Sequence, residues 1–254
     1  MCLQGPPESP WPGKPGGRFI AKSAGFAEGK ARRATSRHGE RAAIYCLLAM
    51  ALYRKFILPH LINFVMGRKD LARCRSEIVS QAHGEILEIG IGSGLNLPFY
   101  SSQVTKVRGV DPSSELLQMA SRRAGFLPVP LELLNASAEE LPLGDQAVDS
   151  VVMTWSLCSI PDPNKALREM RRVLKPGGDL FFVEHGLSPD PRIKTLQERI
   201  NPPWRALAGG CNLNREIDRL ISSAGFRIRQ LDKSYLPGPR VFSFTYRGRA
   251  QRVP

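Results

Sequence analysis

From residue 84 onward the chain alternates short apolar runs with longer stretches of helical period. This pattern predicts a mostly parallel sheet joined by crossover helices. The apolar runs that read as strands are 85–89, 106–110, 131–135, 150–154, 179–184, 227–235 and 241–247. The amphipathic stretches that read as helices are 113–124, 164–173, 192–207 and 215–224, with a further helix expected directly after residue 94. Lys175-Pro176-Gly177-Gly178 ends one helix and Gly225 another, by ordinary breaker chemistry. The last two strands are joined only through Leu236-Pro237-Gly238-Pro239, so they are expected to pair antiparallel at an edge.

The chain before residue 84 patterns differently. Residues 1–41 are basic, rich in Gly and Pro, and keep no apolar period of 2 or 3.6, which reads as disorder. They make a poor signal peptide, because charged residues precede any apolar stretch. Residues 42–53 are uncharged and mostly apolar, Arg54-Lys55 interrupt, and residues 56–66 are again largely apolar around Pro59, His60 and Asn63. Read as two halves, neither reaches the roughly 20 apolar residues that span a bilayer. The expectation is therefore a helical cap over residues 42–83, with peripheral membrane contact through 42–66 as the functional alternative, Arg54 and Lys55 meeting headgroups. Met50 stands just before the structured part, so residues 1–49 read as an extension upstream of it. A single domain over residues 84–254 then carries the chemistry.

Composition narrows the function classes. In 254 residues, 42% hydrophobic and 23% charged, a fibre or a wholly disordered chain is excluded. Lys and Arg outnumber Asp and Glu 36 to 23, a net charge of +13, but the excess is spread along the chain without a long basic run. With no cluster of base-stacking aromatics, a nucleic-acid partner is not expected. The five cysteines, Cys2, Cys46, Cys74, Cys158 and Cys211, are an odd, widely spaced set, and the four histidines are isolated. That spacing suggests a reducing, cytoplasmic setting with neither a disulfide framework nor a metal site.

The first strand, Glu85-Ile86-Leu87-Glu88-Ile89, runs into Gly90-Ile91-Gly92-Ser93-Gly94. Glycine is needed where backbone takes unusual dihedrals or where a ligand packs against it. The spacing is Gly-x-Gly-x-Gly, with Leu95 in the sixth position, so it is not the dinucleotide fingerprint and argues against NAD. About twenty residues later the second strand ends in Gly109-Val110-Asp111, where an acid can accept from both hydroxyls of a ribose. Asp111-Pro112-Ser113-Ser114 also reads as a helix cap, and the two readings are compatible.

Asn135-Ala136-Ser137-Ala138-Glu139-Glu140-Leu141-Pro142, Asp149-Ser150-Val151-Val152-Met153 and Arg171-Arg172-Val173-Leu174-Lys175-Pro176-Gly177-Gly178 follow in order. Over about residues 84–186 the chain resembles the class I S-adenosylmethionine-dependent methyltransferases of the small-molecule branch. The resemblance implies a Rossmann-like α/β fold, a seven-stranded mostly parallel sheet with helices on both faces and an antiparallel edge strand. It also implies S-adenosyl-L-methionine as cofactor and a small-molecule methyl acceptor. Carried over by position, Glu88 orders the methionine end of the cofactor and Gly90, Gly92 and Gly94 form the floor beneath it. Asp111 takes the ribose, Pro112 lies near the adenine, and Ser137, Ala138 and Glu139 match the segment on the adenine amino group. Trp155 sits near the methyl-bearing sulfur.

A narrower resemblance rests on Leu157-Cys158-Ser159-Ile160, Glu184-His185, Asn201-Pro202-Pro203-Trp204 and Gly210-Cys211-Asn212-Leu213-Asn214-Arg215. These segments are similar to the thiol S-methyltransferase group and its bacterial relatives, whose animal members attach to membranes by an apolar N-terminal helix. A thiol with a free pKa of about 8.5 is already partly ionised, so methyl transfer to it needs alignment and dryness more than a base. His185, at the same end of the sheet as the glycine loop, is the expected base or substrate contact, while also reading as a hydrogen-bonded histidine at a strand end. Cys158, Trp204 and Asn212 are expected to line the acceptor pocket, with core packing as the alternative for Cys158 and Trp204. The rival classes are an RNA or protein methyltransferase and a non-catalytic cofactor-binding module.

Overall fold

The first strand expected from the apolar pattern appears as β1 (Gly84–Ile89), the centre of a seven-stranded sheet. In this computed structural model, residue 42 and residues 44–253 are described. The segment 1–41, expected to be disordered, lies outside them. β2 (Val104–Val110), β3 (Leu131–Leu134), β4 (Val148–Thr154), β5 (Leu174–His185), β6 (Phe226–Tyr235) and β7 (Phe244–Arg252) complete the sheet in the order β3-β2-β1-β4-β5-β7-β6. The β3-β2-β1-β4-β5 ladder is parallel, while β7 runs antiparallel to both β5 and β6.

The central strands are apolar almost throughout because both faces of the sheet are covered. Val151 and Met153 of β4, with Leu180 and Phe182 of β5, join the cluster on one face. Val152, Phe181 and Val183 point into the cluster on the other. The helices that close these faces are α2 (Lys69–Val79), α3 (Ser114–Arg122), α4 (Pro163–Val173), α5 (Pro191–Leu207) and α6 (Ile217–Ser223). Ser113, Asp162 and Asp190 cap α3, α4 and α5 with side-chain oxygens on backbone N–H groups.

Four expectations are corrected. The stretch after Gly94 forms turns and a short 3₁₀ segment at Leu97–Phe99 in place of a full helix, with Pro98 near its start. Lys175-Pro176-Gly177-Gly178 follows the end of α4 at Val173 as expected, but the strand expected from residue 179 already starts at Leu174, so these residues lie inside β5, where the pairing slips from Val148↔Leu174 to Ser150↔Asp179 and absorbs them as an irregularity. The last strand begins at Phe244 because Pro239 opens a helical turn, α7 (Arg240–Ser243), whose Phe242 stacks on Trp204 with ring centroids 4.5 Å apart.

The fourth correction concerns residues 42–66. Ile44–Met66 is one continuous helix of 23 residues, α1, long and apolar enough to cross a membrane by length and composition. Arg54-Lys55 and Pro59 do not divide it. A π-turn at Tyr53–Ile57 precedes the proline, where the missing N–H would otherwise break the ladder. Most of this helix is exposed, Phe64 to 79%. Its inner edge, with Leu58 and Pro59 buried, holds the rest of the compact unit Met50–Pro254: Tyr53 Oη donates to Leu207 O (2.9 Å) and Ser93 Oγ bonds to Asn63 Oδ1 (2.8 Å).

Candidate active site

Parallel register brings the carboxyl ends of the strands into one row, Ile89 beside Val110 on one side and Met153 on the other. Chemistry carried in the loops that follow β1, β2 and β4 therefore meets along one edge of the sheet. After β1, Gly90, Gly92 and Gly94 all take positive φ, +64°, +55° and +77°. They do so for different reasons. A Cβ on Gly90 would sit 2.4 Å from Ser156 Oγ, and one on Gly94 would lie 3.1 Å from Ala120 Cα of α3, so both are close approaches of protein to protein. A Cβ on Gly92 would have only Gly90 O within reach, at 3.8 Å, so Gly92 faces open space.

Asp111 closes this loop from β2. Its Oδ2 accepts from Gly92 N (3.0 Å) and its Oδ1 from Ser113 N (2.8 Å), while the cap of α3 is Ser113 itself. Burial pushes the Asp111 carboxyl up, and the two backbone donors work against that. Pro112 is exposed beside it. Asn135 Nδ2 donates to Asp111 O (3.1 Å), which ties on the loop after β3. There Ser137 and Glu139 bond each other, Ser137 Oγ to Glu139 Oε2 and Glu139 N to Ser137 Oγ, both at 3.1 Å, while Ala138 packs inward. Ser137 is exposed.

Glu88 is fully buried, and both its oxygens are occupied. Asn96 Nδ2 donates to Oε1 (2.8 Å) and Tyr100 Oη to Oε2 (2.7 Å). Burial raises its carboxyl to about 7 against the pull of those bonds and of Arg75. Arg75 reaches in from α2, its guanidinium 4.8 Å from the ring centre of Trp155, and donates to Met66 O (2.7 Å). Trp155, just past β4, holds a positive φ of 50° with its N–H on Val183 O (2.7 Å). Arg75 Nε and Asn96 Oδ1 are buried with no protein partner. Unpartnered buried polar atoms, an ionisable buried acid and open space over Gly92 are what a polar, cationic, nucleoside-bearing ligand would complete. The residues present therefore fit S-adenosylmethionine. Sequence reasoning missed Arg75, Asn96 and Tyr100, whose only signal was charged or polar side chains near the glycine loop.

The other half of the edge is built from β4, β5 and the segment after α5. Glu184, fully buried, accepts from the backbone N–H groups of Ser156 (2.7 Å), Leu157 (3.0 Å) and Cys158 (3.3 Å) and so fixes the turn after β4. Asn212 donates through its backbone (2.8 Å) and its Nδ2 (3.0 Å) to Cys158 O. Cys211 Sγ lies 3.0 Å from His185 Nε2 and accepts from Trp204 Nε1 at 3.0 Å. Of the four expected acceptor-side residues, Cys158, His185 and Trp204 thus gather around Cys211, while Asn212 holds the backbone of Cys158. The expectation that the cysteines and histidines are too scattered to cluster is corrected: ligand atoms of Cys158, His185 and Cys211 lie within 4.8 Å of one another. Residues 27 and 26 apart meet because β4, β5 and the loop after α5 end together. Hydrogen bonding to Cys211, then burial, push Cys158 well up, and the same bond, helped by Trp204, holds Cys211 below its ordinary range.

A methyltransferase domain family matches residues 87–182. The chain is similar to thiol S-methyltransferase TMT1B of Homo sapiens, 32% identical over 207 residues, which are 74% of this chain and 84% of that protein. It is 35% identical to the Rattus norvegicus TMT1B over 168 residues, 65% of this chain and 66% of the relative. Among solved structures, a SAM-dependent methyltransferase from Thermotoga maritima superposes with a TM-score of 0.58 at 21% identity, covering 80% of this chain and 99% of that one, and this speaks for the fold.

Proposed function

The chain belongs to the class I S-adenosylmethionine-dependent methyltransferases, and from that premise we propose that it methylates the sulfur of a small, lipophilic thiol. The observation that carries the proposal is the single sheet edge on which Glu88, Gly92 and Asp111 stand beside Cys158, His185 and Cys211. When bound, S-adenosylmethionine supplies a methyl group on a sulfonium whose departure leaves a neutral thioether.

The chain's own residues bind, align and keep out water. Asp111 accepts from the ribose hydroxyls with the lone pairs left over from Gly92 and Ser113. Glu88, once ionised, attracts the ammonium of the methionine end, and Gly92 lets the ligand lie against backbone. Pro112, Ser137, Ala138 and Glu139 flank the adenine, Ser137 through backbone or hydroxyl because its Oγ is shared with Glu139. Trp155 walls the methyl group's path. On the acceptor side Cys158, Trp204 and Asn212 line the pocket and His185 faces the acceptor's sulfur. Alignment of two bound reactants is by itself a large part of such a transfer.

A lipophilic acceptor agrees with α1, whose outward face carries Leu52, Phe56, Ile57, Leu61, Phe64 and Val65. Asn63, on the opposite edge of that helix, bonds Ser93 of the glycine loop, so a membrane-seated α1 would place the site at the lipid boundary. We place the protein at the cytoplasmic face of a membrane, attached peripherally.

The test is a transfer assay with labelled S-adenosylmethionine and matched thiols, alcohols and amines of equal carbon skeleton, read by mass spectrometry. A methyl thioether formed only from the thiols is expected. Methylation of the alcohols or amines in preference would overturn the thiol reading.

A further inference from the structure

We propose that Cys158, His185 and Cys211 form a site for one thiophilic divalent cation, zinc in kind, with a fourth position open to the acceptor's sulfur. The site itself stands on geometry; only the identity of the fourth ligand rests on the thiol reading above.

Two thiols and an imidazole with ligand atoms within 4.8 Å form a soft donor set of the type that selects zinc. Tetrahedral zinc with Zn–S of about 2.3 Å and Zn–N of about 2.0 Å holds its donors roughly 3.5–4 Å apart, which these side chains reach by small rotations. Three protein ligands with a free position mark the catalytic type of zinc site. The scaffold is built for fixed positions. Glu184 holds the Cys158 backbone through three N–H groups, and Asn212 holds it from the other side. Asn201 Oδ1 accepts from Leu213 N (2.8 Å) to fix the turn that carries Cys211. Arg215 donates to Leu157 O, closing the ring between the two loops. Trp204 Nε1 on Cys211 Sγ is an outer hydrogen bond of the kind that orients a thiolate ligand.

The nitrogen that faces the sulfurs is His185 Nε2, 3.0 Å from Cys211 Sγ, so a cation seated between the thiols takes Nε2 as its nitrogen ligand. Two thiolates and a neutral imidazole around a dication sum to zero charge, so the apolar setting of buried Leu213 and half-buried Ile200, Ala208 and Phe242 suits the loaded site.

At the open position an acceptor thiol would give its proton to solvent and coordinate as thiolate, as thiols on zinc do. The thiolate lone pair then forms the new C–S bond to the methyl carbon while the donor's C–S⁺ bond breaks. The thioether product has no charge and dissociates.

The experiment uses the full chain, reduced and stripped of metal, titrated with Co²⁺ and then Zn²⁺. One equivalent of Co²⁺ with near-ultraviolet thiolate-to-cobalt absorption, displaced by Zn²⁺, is expected. Cys158→Ser and Cys211→Ser should each weaken binding at least about 100-fold. Circular dichroism and S-adenosylmethionine titration report whether these variants are folded. Absence of the thiolate band in the unsubstituted reduced chain, or its persistence in both variants, overturns the site. Thiol methylation lost on chelation and restored by Zn²⁺ supports the open position, and equal methylation without metal overturns that role. A bound metal with no thiol methylated under any condition leaves the site standing and sinks the thiol reading instead.

Discussion

The two halves of the sheet edge are made in different ways. Beyond β1, β2 and β3, the side chains the sequence points to lie within a few residues of the glycine or acid that announces them, and the loops are joined through backbone groups, as in Gly92 N to Asp111 and Asn135 to Asp111 O. Beyond β4 and β5 the site is assembled from three segments, and side chains hold side chains: Trp204 on Cys211, Cys211 on His185, Asn201 on Asn212. A region built on backbone can be read from short spacings, and it tolerates variation in what surrounds it. A region built on distant side chains is where acceptor choice can change while the cofactor half stays the same.

The sharpest separation should come from Asp111→Ala. It removes the acceptor of two backbone donors and of the ribose, and should weaken S-adenosylmethionine binding about 100-fold, close to 3 kcal/mol, in isothermal titration. An unchanged affinity would break the assignment of the cofactor to that half.

Within the loop, Gly90→Ala and Gly92→Ala should part company. Gly90→Ala meets Ser156 Oγ and a positive φ together, and should cost roughly 2–3 kcal/mol of folding stability in denaturant melts. Gly92→Ala carries only the conformational cost of about 1–2 kcal/mol, yet it should lose more cofactor affinity than its neighbour. The reverse order would mean that Gly92 does not face the ligand.

On the acceptor's approach side, Phe64→Asp should reduce partition to anionic vesicles by roughly tenfold, about 1.5 kcal/mol, as read by flotation. No change would remove α1 from membrane binding. The smallest effect is a pH dependence. Glu88, buried and raised to about 7 from an ordinary 4.5, binds a proton more readily folded than unfolded. Its contribution to the stability of the ligand-free fold is complete below about pH 4.5 and is lost as pH rises through 7. Ionised Glu88 favours a cationic cofactor, so affinity should rise about tenfold between pH 6 and 8, and Glu88→Gln should flatten that rise. A flat profile in the unsubstituted chain would detach Glu88 from the methionine end.

Much of this molecule is legible in its amino-acid sequence. The alternating pattern locates all seven strands to within a few residues, most plainly the central parallel ones, because parallel strands covered on both faces are apolar almost throughout. The pattern misses strand boundaries near Pro and Gly: β5 starts at Leu174 and carries Lys175-Pro176-Gly177-Gly178 as an irregularity, and Pro239 opens a helical turn in a stretch that reads as strand. Arg54-Lys55 reads as an interruption of the apolar N-terminal segment, yet a π-turn carries the helix through these residues and on past Pro59.

The sequence by itself determined the fold class, the glycine loop and Asp111, because backbone conformation and strand-end chemistry are local and leave short spacings. Tertiary structure alone decided that Arg75 lies over Trp155, that Asn96 and Tyr100 occupy Glu88, and that Cys158, His185 and Cys211 share one site. Arg75 and Trp155, and the three members of the sulfur site, lie tens of positions apart, and Glu88 meets its two nearer partners only through the fold of the loop after β1, so all these distances depend on how strands and loops pack, which no spacing along the chain records.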